Sequence, residues 1–209
     1  MRVTRQTKEK TRQRILKAAF DLFVGRGFYE TTTRDIAAKA RIATGTLFNY
    51  FPTKEALAME IIAEALESGR DDYAKLRRGE ESLAEDLFLF IITGLRKLEP
   101  HRTYLASVVE TALSPFTSSN NNRVGEQVRV DHLEQIASLL AAHQVTDQPS
   151  FVVIHIYWAL YLGILAFWST DDSPNQEDTL VLLDHALGLF VASATNSRSR
   201  LEASHDGQH

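Results

Sequence analysis

No cysteine occurs among the 209 residues, which excludes disulfides, thiolate zinc sites and a cysteine nucleophile together. Prolines number only five and glycines ten, and both fall mainly between blocks of periodic apolar residues. Long regular segments are therefore expected. No stretch alternates apolar and polar residues well enough to read as a strand. The N-terminus, MRVTRQTKEKTRQRIL, is charged and has no apolar core of a secretory signal, so a cytoplasmic location is expected. Motifs of catalysis are missing as well. There is no phosphate-cradling glycine loop, no nucleophile elbow and no glutamate–x–x–histidine pair suited to a di-iron site. His132 and His143 have no partner at metal-ligand spacing, and each is expected to be structural. No catalytic residue, metal or cofactor is in prospect.

What is present is unevenly distributed. Residues 1–54 hold 12 Lys/Arg against 4 Asp/Glu, whereas residues 55–209 hold 11 against 23. The formal net charge of −4 thus conceals a head of about +8 on a body of about −12. A basic head on an acidic body suggests a polyanion-binding module attached to something that is not one.

Apolar spacing is helical nearly throughout. Ile15, Ala18, Ala19, Leu22 and Phe23 follow one helix stripe, and Gly25 and Gly27 supply residues that tolerate the left-handed conformation ending a helix. A short helix is expected from Thr33 to Ala40, capped by Thr32, and another from Thr44 to just before Pro52. Thr53 caps a long fourth helix, and Ser82 with Glu85 makes a capping box for a fifth. A sixth lies near Thr103–Leu113, 114–122 reads as a loop, and 124–143, 150–169 and 176–195 are three more. The expected division is a basic, polyanion-binding domain over 1–54, a larger helical domain over 55–196, and a disordered tail over 197–209. The fold class is all-α.

The segment 151-FVVIHIYWALYLGILAFW-168 touches the lower length limit of a membrane span. His155 within it, and Asp171 and Asp172 just beyond, argue against one. At 100° per residue His155, Ala159, Gly163 and Ala166 share one face, with Tyr157 and Tyr161 opposite. Small residues let a second helix approach closely. With Leu183, Leu187 and Phe190 of the last helix, they form the expected homodimer interface. Tyr157 and Tyr161 then face inward, where Phe88, Tyr104 and Phe116 are expected to complete the wall of a pocket for a small apolar or aromatic ligand.

The stretch 31-TTTRDIAAKARIATGTLFNYFPTKEAL-57 carries two helices separated by about three residues, the layout of a helix-turn-helix. Ile36, Ala37, Ala40, Leu47 and Phe51 are expected inside, and Thr44, Gly45, Phe48 and Asn49 outside. Thr33, Thr46, Tyr50 and Lys54 can offer hydroxyl and ammonium donors to phosphates. Arg34 belongs to the same DNA-facing set.

This stretch, with AAFDLFVGRGFYETT upstream, resembles the signature of TetR-type transcriptional regulators over about residues 10–60. The resemblance implies an all-helical homodimer whose three N-terminal helices bind double-stranded DNA and whose larger domain dimerises and holds an inducer. By position it implies that Thr33 contacts phosphate, Thr44 and Gly45 approach bases, Phe48 and Asn49 line the groove, and Tyr50 and Lys54 grip the backbone. Arg41 is a departure, because the family often has glycine in that turn; a strained backbone or a shifted turn is expected there.

Overall fold

The computed structural model describes residues 5–112 and 123–206. Those residues form nine α-helices. In chain order they are α1 (Arg5–Arg26), α2 (Thr33–Lys39), α3 (Thr44–Phe48), α4 (Lys54–Leu76), α5 (Leu83–Leu98), α6 (Arg102–Ala112), α7 (Arg123–Ala142), α8 (Phe151–Thr170) and α9 (Glu177–Asp206). A 3₁₀ turn at Glu99–His101 precedes α6. Contacts divide the chain into two compact units, a head of residues 1–68 and 97–128 and a body of residues 69–96 and 129–209. The head therefore extends past residue 54, because Leu57, Ala58, Met59 and Ile62 of α4 are buried in it.

Local signals account for most helix ends. Thr32 and Asp35 form a reciprocal capping box at the start of α2. Thr53 Oγ1 accepts from the Ala56 N–H at 3.0 Å to start α4, and Ser82 and Glu85 cap α5 in the same reciprocal way. Gly27, at φ 97°, ends α1, whereas Gly25 lies inside that helix. The end of α2 is different. The Ile42 N–H donates to the Ala37 carbonyl and the Arg41 N–H to that of Ala38, which is a Schellman motif. Its left-handed position, normally a glycine's, is taken by Arg41 at φ 53°. A strained backbone is the outcome at that departure. α3 is shorter than expected, ending at Phe48 with Asn49 as its C-cap.

The head is held by a stripe of α1 (Ile15, Leu16, Ala19, Phe23) against Ile36, Ala37 and Ala40 of α2 and the α2–α3 turn, with Leu47 and Phe51 following; all are at most 3% exposed. Each buried Ile, Leu or Phe contributes about 1.5–3 kcal/mol relative to exposure, and each alanine methyl about 0.8 kcal/mol. The body core is built from Leu87 and Ile91 of α5, Ile136 and Leu140 of α7, Tyr157, Tyr161 and Trp168 of α8, and Leu183, Leu187 and Phe190 of α9. In the body α4 and α5 approach so closely that a Cβ on Gly69 would lie 2.9 Å from the Gly94 Cα. Asp86, fully buried, accepts from the Tyr73 hydroxyl at 2.5 Å, from Arg77 at 2.8 and 3.0 Å, and from His143 Nε2 at 2.8 Å. Burial alone would raise its pKa, but the donors from Tyr73, His143 and Arg77 outweigh that and lower it.

Two expectations change here. The tail is not separate from the fold's helices, since the backbone of α9 continues to Asp206. No proline or glycine interrupts 189–206, and Gly207 is the first breaker. Leu183, Leu187 and Phe190 are 0–3% exposed within a single chain. They pack inward and are not free to form an interface.

Candidate nucleic-acid interface

The α2–α3 pair positions the sequence-predicted residues on two sides. Ile36, Ala37, Ala40, Leu47 and Phe51 are all buried, and Gly45, Phe48 and Asn49 are exposed. Phe48 leaves 47% of its surface in solvent. Thr33, Thr44, Thr46 and Tyr50 are half-buried along the margin of this face, and Arg34 is exposed. A Cβ built on Gly45 would meet nothing within 4 Å, so the protein's own packing does not demand a glycine there.

The basic surplus of the head is only partly available. Arg12 is tied to Glu60 and Glu64 of α4, Arg26 to Asp35 and Lys39 to Asp21. Arg34 and Arg41 make no ion pair among the described residues.

Lys54 is placed differently from expectation. Its Nζ donates to the backbone carbonyls of Phe28 at 2.8 Å and Thr31 at 3.2 Å, and lies 4.2 Å from the centre of the Phe28 ring. Two of its three donors are thus spent tying the α1–α2 loop to α4. An ammonium so engaged ties the loop in place. Thr31 reinforces the same loop, its hydroxyl donating to the Gly27 carbonyl at 2.7 Å. Tyr29, 71% exposed beside this loop, is an outward aromatic that helical periodicity missed, because it lies in a turn where periodicity is silent.

Of the expected pocket residues, Tyr104 falls in the head, whereas Phe88, Tyr157 and Tyr161 fall in the body. Tyr104 belongs to an aromatic cluster in the head: its ring stacks on Phe28 at 5.5 Å, meets Phe23 at 5.4 Å, and its hydroxyl pairs with His101 Nδ1 at 2.5 Å. Phe88 is half-buried, and Phe116 lies outside the described residues. Tyr157 and Tyr161 do point inward, at 0% and 3% exposure. Their partner is His132, whose Nε2 lies 2.9 Å from the Tyr157 hydroxyl and whose ring is 4.1 Å from that of Tyr161. Burial pushes the His132 pKa down to about 3 and that of His101 down to about 4, so both are neutral near pH 7. A groove of about 300 Å³ lies elsewhere in the head, with Leu16, Phe20, Ile61 and His101 in its lining. Among the described residues no cluster of His, Asp or Glu could hold a metal.

On α8, His155, Ala159, Gly163 and Ala166 are all exposed, as are Phe151, Val152, Ile156 and Phe167. On α9 the outward residues are Val181, Leu182, Gly188 and Leu189. Both helices are long and apolar enough to cross a membrane by length and composition.

Two sequence profiles match the chain. One, described as bacterial regulatory proteins of the tetR family, covers residues 15–61 and so contains the whole α2–α3 face. The other, described as a tetracyclin repressor-like C-terminal domain, covers residues 87–202. The chain belongs to the TetR family. It is a DNA-binding transcriptional regulator with an N-terminal helix-turn-helix and a helical C-terminal domain, and the family is one of regulators, not enzymes. An uncharacterised HTH-type transcriptional regulator of Bacillus subtilis, YvkB, is 36% identical over 187 residues, covering 87% of this chain and 95% of its own length. The transcriptional repressor KstR of Mycolicibacterium smegmatis is 23% identical, covering 90% of each chain. In architecture the chain is similar to a TetR-family repressor of Thermus thermophilus, FadR, crystallised with lauroyl-CoA. The TM-score is 0.69 at 24% identity, covering 86% of this chain and 93% of that one. The C-terminal profile includes both apolar helices, α8 and α9, so in this family they belong to the helical domain of a soluble regulator.

Proposed function

We propose that this TetR-family regulator is a cytoplasmic repressor that binds an inverted-repeat operator as a homodimer and leaves it when a small molecule occupies the body. The observation that carries the reading is the outward row of Gly45, Phe48 and Asn49, flanked by Arg34 and Arg41, which make no ion pair among the described residues. Glycine lets the backbone of α3 come close to base edges. Asn49 carries an amide able to read them, and Phe48 offers apolar surface to a thymine methyl. Thr33, Thr46 and Tyr50 supply hydroxyls to phosphates at the margin, and Thr44 approaches the bases beside Gly45. Lys54 serves this face by holding the loop before α2.

The homodimer is supported by the unpartnered apolar faces of α8 and α9, each of which presents a glycine with open space around it, Gly163 and Gly188. Close approach of two copies there would carry two heads on one symmetric frame. The inducer is supported by the buried aromatic lining around Tyr157 and Tyr161. A similarly folded repressor's lauroyl-CoA further suggests a ligand with an apolar body. Release follows when the ligand prefers a conformation whose two recognition helices are wrongly spaced, and the shift is limited by that differential affinity.

Selection of bound sites from random duplex DNA tests the operator. The expected product is an inverted repeat with half-sites about 34 Å apart, or a multiple of one turn. A single, non-repeated site bound by one chain would overturn the reading.

A further inference from the structure

Two neighbouring side chains of α8 hold hydrogen-bond donors for which no acceptor is found among the described residues. Trp158 is 3% exposed, and its indole Nε1 is buried without a partner. Tyr161, one turn further on and also 3% exposed, makes no hydrogen bond through its hydroxyl among the described residues. Their rings are 5.6 Å apart, and both pack against His132. His132 cannot relieve them through Nε2, which is engaged by the Tyr157 hydroxyl. Cations accompany the donors. The Arg129 guanidinium lies 5.5 Å from the centre of the Trp158 ring, and the charge of Arg70 acts on Tyr161. By contrast the second tryptophan of the chain, Trp168, donates its Nε1 to Gln176 Oε1 at 2.8 Å.

A buried donor left unpaired costs about 1–3 kcal/mol, and native proteins keep few of them. One such donor, the Trp158 indole, beside a tyrosine hydroxyl that makes no hydrogen bond among the described residues and with cations near both, describes half of a recognition site. We infer that Trp158 and Tyr161 are the polar anchor of the body's ligand site and that they bind the carboxylate of an otherwise apolar acid. The acid's oxygens accept from the indole N–H and the phenol, and Arg129 supplies a positive field. This inference rests on the reading of the body as a ligand-binding domain and names the chemical class that the site selects. Because the donors are satisfied only when the acid is present, the occupied state gains an interaction that the empty one lacks.

Indole ¹H–¹⁵N spectra of the full chain test it directly, since only two tryptophans are present and Trp158→Phe assigns the pair. Without ligand the Trp158 indole proton should lie upfield of the hydrogen-bonded Trp168 proton. Sodium decanoate or sodium 2-naphthoate should move the Trp158 signal downfield and leave Trp168 in place. Decyltrimethylammonium, which has a chain of the same length but no acceptor, should move neither. By calorimetry, Trp158→Phe and Tyr161→Phe should each weaken binding of these acids about tenfold, the loss expected for one hydrogen bond to a charged group. Acid binding that leaves the Trp158 signal and both variants' affinities unchanged overturns the anchor while the body remains a ligand domain. Absence of binding by either acid overturns the proposed class, as does a Trp158 proton already at a hydrogen-bonded shift in the free protein. Acids that bind through Trp158 yet leave operator affinity unchanged confirm the anchor and instead refute induction by that site.

Discussion

Replacing Lys54 by methionine separates two roles that a lysine at the head of α4 can play. The change keeps the aliphatic stem and removes the ammonium that bridges the Phe28 and Thr31 carbonyls at 2.8 and 3.2 Å. A hydrogen bond to a charged group is worth about 1.5–3 kcal/mol. Lys54 is half-exposed, so water can recover part of that for the carbonyls. Loss of the cation over the Phe28 ring adds about 0.5–1 kcal/mol. The net cost is therefore about 2 kcal/mol, and for a chain of this size it should lower Tm by about 4–8 °C. Calorimetry of the DNA-free protein measures it. Operator affinity should also fall, because the loop that positions α2 is loosened, but the slope of affinity against salt should change little. A variant as stable as the parent, with a salt slope flatter by about one, would refute the tether and restore Lys54 as a phosphate contact.

Other expectations are simpler to state. Arg41→Gly relieves a left-handed residue at φ 53° and should stabilise the free protein by about 1 kcal/mol in urea denaturation, while weakening DNA binding if this cation faces phosphate. His101 and His132 are held neutral, with pKa values of about 4 and 3 against about 6.5 in an unfolded chain. The unfolded state therefore binds protons first as pH falls. Their contribution is intact above pH 6.5 and is lost progressively down to about pH 4 for His101 and about pH 3 for His132, on the order of 3 and 5 kcal/mol respectively; His132→Gln should flatten that part of a Tm–pH curve. A Cβ at Gly163 would meet nothing within 4 Å, so Gly163→Arg should fold normally and sediment as a monomer; an intact dimer would move the interface away from the outer face of α8.

Short-range signals were legible in the sequence because the forces behind them act within one or two turns. Thr32 with Asp35, Thr53 and Ser82 with Glu85 bond to backbone three residues away, and the inward set Ile36, Ala37, Ala40, Leu47 and Phe51 follows from 3.6-residue periodicity. The helix-turn-helix and its outward Gly45, Phe48 and Asn49 were determined at that level. What only the tertiary structure decided were pairings between residues far apart in the chain. Lys54 reaches carbonyls 23 and 26 residues back, and Asp86 gathers Tyr73, Arg77 and His143, the last of them 57 residues away. Tyr104 joined Phe23 and Phe28 in the head instead of the tyrosines of α8. In α9, apolar residues occur on more than one side, so periodicity marked a stripe without saying which neighbour it meets. Packing against α8 claimed Leu183, Leu187 and Phe190 and left Val181, Leu182 and Leu189 outside. The reason is common to all of these. A side chain's type limits which partners it can satisfy, but which partner lies within reach depends on how the helices pack, and a single position in the sequence does not carry that information.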